Sequence, residues 1–237
     1  MCYLFIYISI MNEDPIKQKQ KHVPVAAGCI MSIEDAPIIL TSFSMYFTFI
    51  GYGAVIGAVS AAIPALADTF DMSETALGWL YTARGLGYFC GASSTGIVLE
   101  FNYLKMSKEH LLSIFILIVS ALMILMSICT NIFLMLIEIF VVGFCFGVFD
   151  MTCNVLLPEL WGLRVGPWMQ ALHACFGIGA MIGPTLVGAT NYKISFVIIT
   201  FIFGIPLISL NIKDLLGLLG VSCSGAGCAP GTNDTND

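Results

Sequence analysis

Between Thr41 and Ile212 the chain carries six apolar stretches, almost uninterrupted, each long enough to cross a lipid bilayer. A hydrocarbon core of about 30 Å needs about 20 helical residues. The spans read as Thr41 to Leu66, Ala76 to Leu99, Leu111 to Cys129, Ile132 to Leu157, Trp168 to Thr190 and Ile194 to Ile212. Hydrocarbon offers no water to backbone N–H and C=O groups, so a spanning segment is a helix or part of a closed barrel. The alternation of barrel strands is missing. The sequence therefore predicts an all-α membrane protein with a cytoplasmic tail over 1–40, a six-helix bundle over 41–212 and a disordered cytoplasmic tail over 213–237.

Composition excludes other classes. With 58% hydrophobic and 10% charged residues and a mean hydropathy of +0.94, too little polar surface remains for a water-soluble domain of this length. No basic stripe marks a nucleic-acid partner. No HExxH, G-x-S-x-G or P-loop motif marks an enzyme, and no cofactor is expected. Cys90, Cys129, Cys145, Cys153 and Cys175 fall in or beside spans, where cysteine acts as a small apolar residue. Cys223 and Cys228 lack a partner pair at zinc-site spacing, so no metal site is expected.

Orientation follows the basic residues, which stay cytoplasmic on insertion. Six spans put Lys17, Lys19, Lys21, Lys105, Lys108, Arg164 and Lys213 on one side and only Lys193 on the other, so both termini are expected in the cytoplasm.

The chain also repeats itself. Gly53, Gly57, Ser60 and Pro64 of the first span recur ninety positions later as Gly143, Gly147, Asp150 and Asn154. Gly85, Gly87, Gly91 and Gly96 recur ninety-two positions later as Gly177, Gly179, Gly183 and Gly188. Three helices per copy force the second copy to enter from the opposite face, giving an inverted 3+3 repeat of the kind transporters use. Small-xxx-small stripes also let helices pack closely without any transport role.

Leu160-Trp161-Gly162, Gly166-Pro167, Met169 to His173 and Phe176 to Ala180, set on this six-span plan, resemble the amino-terminal half of a major facilitator superfamily transporter. Within that superfamily the chain is most similar to the sodium-dependent glucose transporter and fucose-permease-like group. The resemblance implies cation-coupled alternating access for a small polar solute such as glucose, with sodium or a proton as coupling ion. It also implies a multi-pass location, the plasma membrane being favoured over an internal one. Gly96 and Glu100 stand where the family has its gating loop after the second helix, although Phe101, Asn102 and Tyr103 replace its basic and glycine positions. The chain stops where the family's central loop would begin. Besides the lipid bilayer and a sugar, the expected partners are therefore a second copy or another transporter half, and a truncated, non-transporting protein that acts by such pairing is the alternative.

Ionisable groups inside a membrane cost about 2.5–3.5 kcal/mol each. Arg84 and Glu138 lie at depths of about 12 Å and about 9 Å from the outer face at helical rise, and are expected to form a structural ion pair. Asp150 and Asn154 share one helix face, about 120° around from Glu138. With Gln170 and His173 of the next span they are expected to line a path for solute and ion, since carboxylate and amide groups suit both sodium and sugar hydroxyls. The competing role for these four residues is an interhelical hydrogen-bond network.

Overall fold

The computed structural model describes residues 36–100 and 107–210, and among these every regular element is helical. The elements are α1 (Ala36–Ala61), α2 (Ile63–Phe70), α3 (Gly78–Glu100), α4 (Lys108–Ile128), α5 (Ile132–Trp161), a 3-10 turn (Gly162–Arg164), α6 (Val165–Ala189) and α7 (Tyr192–Leu210). Three stretches are long and apolar enough to cross a bilayer: Ile38–Ala61, Lys108–Ile128 and Ile132–Ala189. The third runs for 58 residues and holds both α5 and α6. Tyr192–Ile208 is apolar but shorter, and α3 is diluted by glycine, serine, threonine and Arg84. Both terminal tails and the loop at 101–106 lie outside the described residues.

The helix ends differ from the expected spans for local reasons. The first span breaks at Ala62 because Pro64, at the start of α2, has no N–H to continue the ladder. Asp71 ends α2 in the left-handed region, at φ 52°. Asn131 caps α5 by accepting from the backbone N–H of Phe133 at 2.9 Å, and Ser107 caps α4 by accepting from that of His110 at 3.3 Å. At its other end α5 runs four residues past Leu157, through Pro158, and stops at Gly162, whose φ of 52° suits a residue without Cβ.

Packing is dominated by two crossings, α1 on α6 and α3 on α5. In each, glycine lets one backbone rest on the other. A Cβ on Gly53 or Gly57 would overlap the Phe176 and Ala180 carbonyl oxygens, and one on Gly179 or Gly183 would overlap those of Ile50 and Ala54. In the other crossing, Gly143 and Gly147 meet the Arg84 and Tyr88 carbonyl oxygens, while Gly87 and Gly91 meet those of Phe140 and Phe144. The contacts correspond residue by residue: Ile50 and Ala54 to Phe140 and Phe144 at ninety positions, Arg84 and Tyr88 to Phe176 and Ala180 at ninety-two. Contact positions advance together along both helices of each pair, so both crossings are parallel. Helices α4 and α7 pack on each other, α7 also on α1 and α4 also on α5.

Side-chain hydroxyls within the helices mostly bond back along their own turn, as Ser42, Thr48 and Ser195 do to the carbonyls of Ile38, Ser44 and Asn191. At the end of the bundle bearing the α5–α6 reversal, the Trp161 and Trp168 rings stack at 3.7 Å between centroids. Trp161 Nε1 donates to Ser42 Oγ at 2.9 Å, and the Tyr46 hydroxyl donates to the Trp168 carbonyl at 3.1 Å. Both bonds tie the reversal to α1. At the same end Lys108 pairs with both carboxylate oxygens of Glu159, joining α4 to α5.

Gly147→Ala, which drives a Cβ into the Tyr88 carbonyl, should destabilise the bundle by about 1–3 kcal/mol. Gly188→Ala, where a Cβ meets open space, should not. Thermal unfolding of the two variants in detergent checks this, and equal melting temperatures would refute backbone contact at the crossing.

Candidate functional site

The α3–α5 crossing carries the polar chemistry. Asp150 and Asn154, one turn apart on α5, are joined by a bond from Asn154 Nδ2 to Asp150 Oδ1 at 3.0 Å. From α3 the Tyr88 hydroxyl donates to Asp150 Oδ2 at 2.5 Å. Two donors thus hold the carboxylate in one orientation, and bonds to a charged acceptor are the stronger kind. One turn before Tyr88 on α3 is Arg84, and both line a cavity of about 230 Å³ with Tyr52, Gly85, Gly143 and Phe146.

Tyr52 reaches this cavity from α1. Its ring lies 4.1 Å from that of Phe146 and 5.1 Å from that of Phe176, between centroids. It is also within electrostatic reach of Asp150 and Arg84. The site therefore has a guanidinium, aromatic faces and, behind Tyr88, a hydrogen-bonded carboxylate. Among the described residues no cluster of His, Cys, Asp and Glu could hold a metal.

The two glycine crossings differ in chemistry. Positions equivalent to Arg84 and Tyr88 hold Phe176 and Ala180, and those equivalent to Asp150 and Asn154 hold Ser60 and Pro64. The α3–α5 crossing holds ionisable side chains at these positions and the α1–α6 crossing holds none.

The expected ion pair between Arg84 and Glu138 is not made. Glu138 is 2% exposed, and neither of its carboxylate oxygens has a hydrogen-bond partner. The Arg84 guanidinium lies over the Tyr81 ring, 5.9 Å from its centroid. Similar depth was not enough, because α3 crosses α5 at Gly143, about 140° around the helix from Glu138. The ion pair found among the described residues is instead Lys108 with Glu159.

Of the four expected path residues, the structure brings Asp150 and Asn154 together. Gln170 and His173 are exposed on α6. His173 sits 6.2 Å from Phe49, ring to ring, and neither residue hydrogen-bonds to Asp150 or Asn154. Gly96, towards the end of α3, has the Met151 side chain near it. Glu100 is the last residue of α3, and the loop that follows lies outside the described residues.

Residues 41–219 match the family model described as the Major Facilitator Superfamily. The chain belongs to that superfamily. Curated relatives include Sodium-dependent glucose transporter 1A of Mus musculus, 29% identical over 60% of this chain and 32% of its own length. Sodium-dependent glucose transporter 1 of Rattus norvegicus is 30% identical over 62% of this chain and 29% of its own length. Major facilitator superfamily domain-containing protein 4B of Danio rerio is 28% identical over 62% and 26%. The chain thus spans about a quarter to a third of the curated relatives it matches, and no solved structure matches it.

Sequence reasoning missed Tyr52 and Tyr88 as members of this candidate site. Tyrosine counts as apolar in a hydropathy reading, and only their spacing hinted otherwise: Tyr88 is one turn from Arg84, and Tyr52 falls beside the Gly53 stripe.

Two measurements check the geometry. A double-mutant cycle on Tyr88→Phe and Asp150→Asn should give a coupling of about 0.6–1.7 kcal/mol, the range of hydrogen bonds between membrane helices. Arg84→Leu with Glu138→Leu should be additive within about 0.5 kcal/mol, as for side chains that do not touch; a larger coupling would restore the ion pair.

Proposed function

We propose that the chain forms six membrane spans arranged as an inverted 3+3 repeat, one half of a transporter that moves a small polar solute, a sugar such as glucose, by cation-coupled alternating access. Supporting the repeat is the residue-by-residue match of the two glycine crossings. Two parallel pairs, the first helix of the plan with the fifth and the second with the fourth, also fit six alternating spans.

Supporting the solute site is one observation above the rest: Asp150 is clamped by Tyr88 and Asn154 behind a cavity lined by Arg84 and Tyr52. Aromatic faces suit the C–H faces of a sugar ring, and the guanidinium suits its hydroxyls. The names of the relatives favour glucose and sodium. In this proposal Asp150 binds the coupling ion, sodium or a proton, with Gln170 and His173 completing the polar path from α6. Gly96 and Glu100 act in the gating loop, both termini are cytoplasmic, and the location is the plasma membrane.

The helices also present apolar side chains outward at equivalent positions, Phe89 and Met181 being 68% and 74% exposed. In this proposal those faces meet lipid, a second copy or a partner half, and a chain that only pairs, without transport, is the second reading.

Asp150→Asn in the 237-residue chain, reconstituted in liposomes, should abolish cation-dependent uptake of radiolabelled D-glucose while leaving the amount of inserted protein unchanged. Undiminished uptake would remove Asp150 from the ion path. Labelling of the loops after residues 100 and 190 from opposite sides of the membrane is expected, and labelling from the same side would refute the inverted repeat.

A further inference from the structure

Eight glycines of this bundle are needed for backbone contact, whereas several others have open space at the Cβ position and no packing reason to be glycine. Gly53, Gly57, Gly87, Gly91, Gly143, Gly147, Gly179 and Gly183 all sit where a Cβ would strike a facing backbone. Gly85 lies in the same α3 stripe, between Arg84 and the contact glycine Gly87, yet a Cβ there meets nothing within 4 Å. It is in the interior of α3 and its φ is not positive. Alanine would therefore fit the backbone, and glycine in a helix interior is destabilising relative to alanine. What Gly85 does have is a place on the cavity wall, beside Arg84 and one turn from Tyr88.

We propose that Gly85 is a specificity-determining residue: its missing side chain leaves space beside Arg84 that the ring of a monosaccharide occupies, and so sets the size of the solute accepted. This rests on the cavity's being the solute site. Its counterpart in the repeat, Gly177, also has open space at its Cβ position but is not on the wall of this cavity, which makes it a control. A side chain at position 85 narrows the cavity from the α3 wall without moving the crossing, whereas one at position 87 pushes α3 off α5.

Two measurements on the 237-residue chain in liposomes test the proposal. In the first, Gly85→Ala and Gly85→Leu keep the melting temperature of the unaltered chain. Gly85→Leu raises the KM for D-glucose about tenfold or more, and Gly85→Ala shifts uptake towards D-xylose, which lacks the hydroxymethyl group. In the second, Gly85→Cys and Gly177→Cys are labelled with a water-soluble methanethiosulfonate, and the reaction of the native cysteines, exposed Cys90 included, is subtracted. Either D-glucose or D-xylose slows labelling at position 85 and neither does so at position 177. Labelling at position 85 that neither sugar slows overturns the proposal, whether or not the chain transports. An unchanged KM in Gly85→Leu overturns it while leaving the transport reading intact. Protection at position 85 without any uptake upholds it and refutes transport by this chain.

Discussion

Contact between helix backbones is the constraint on which the rest of this bundle depends. In a bilayer the lipid chains are as apolar as leucine, so helices gain nothing by merely hiding hydrophobic side chains from one another. What holds them is van der Waals contact over a closely fitted surface, and glycine permits the closest fit. Four glycines in each of two crossings bring α1 to α6 and α3 to α5, and the other helices pack around these pairs. The cavity follows from the same contact. Where α3 touches α5 at Gly143 and Gly147, the residues whose carbonyls make the contact, Arg84 and Tyr88, also line the cavity beside Tyr52.

The two crossings use the same backbone geometry for different ends. At one of them aromatic and small residues fill the space around Phe176 and Ala180. At the other, the equivalent positions carry Arg84 and Tyr88, with Asp150 and Asn154 on the facing helix. One backbone contact used twice with different side chains is an economical way to confine polar groups to one place in a membrane domain, where each unpaired charge is costly. Glu138 departs from that economy. Its carboxylate is buried without a partner on a face of α5 that neither crossing uses, and burial of that kind asks for a reason beyond stability.

Much of this was legible in the sequence because it depends on period and spacing. The apolar lengths pointed to helices, and the glycine spacings at ninety and ninety-two positions marked residues that the structure places where helices touch. The Asp150–Asn154 pair followed from a separation of four on a helix. What spacing could not supply was rotation between helices. Arg84 and Glu138 have similar depth, but which way each faces depends on where α3 crosses α5, and that is a property of the packed pair. For the same reason spacing could not say how near Gln170 and His173 come to Asp150, since α6 packs chiefly on α1. Tyr52 and Tyr88 stayed hidden for another reason: tyrosine reads as apolar until the partner of its hydroxyl is known.

The stacked indoles at the α5–α6 reversal carry a mechanical consequence. A turn that hung free would let α6 swing independently of its predecessor, but here one tryptophan is hydrogen-bonded to α1, and the other gives its carbonyl to a tyrosine of that same helix. These bonds couple α1, α5 and α6 at this end, so a displacement of any one of the three is passed to the other two.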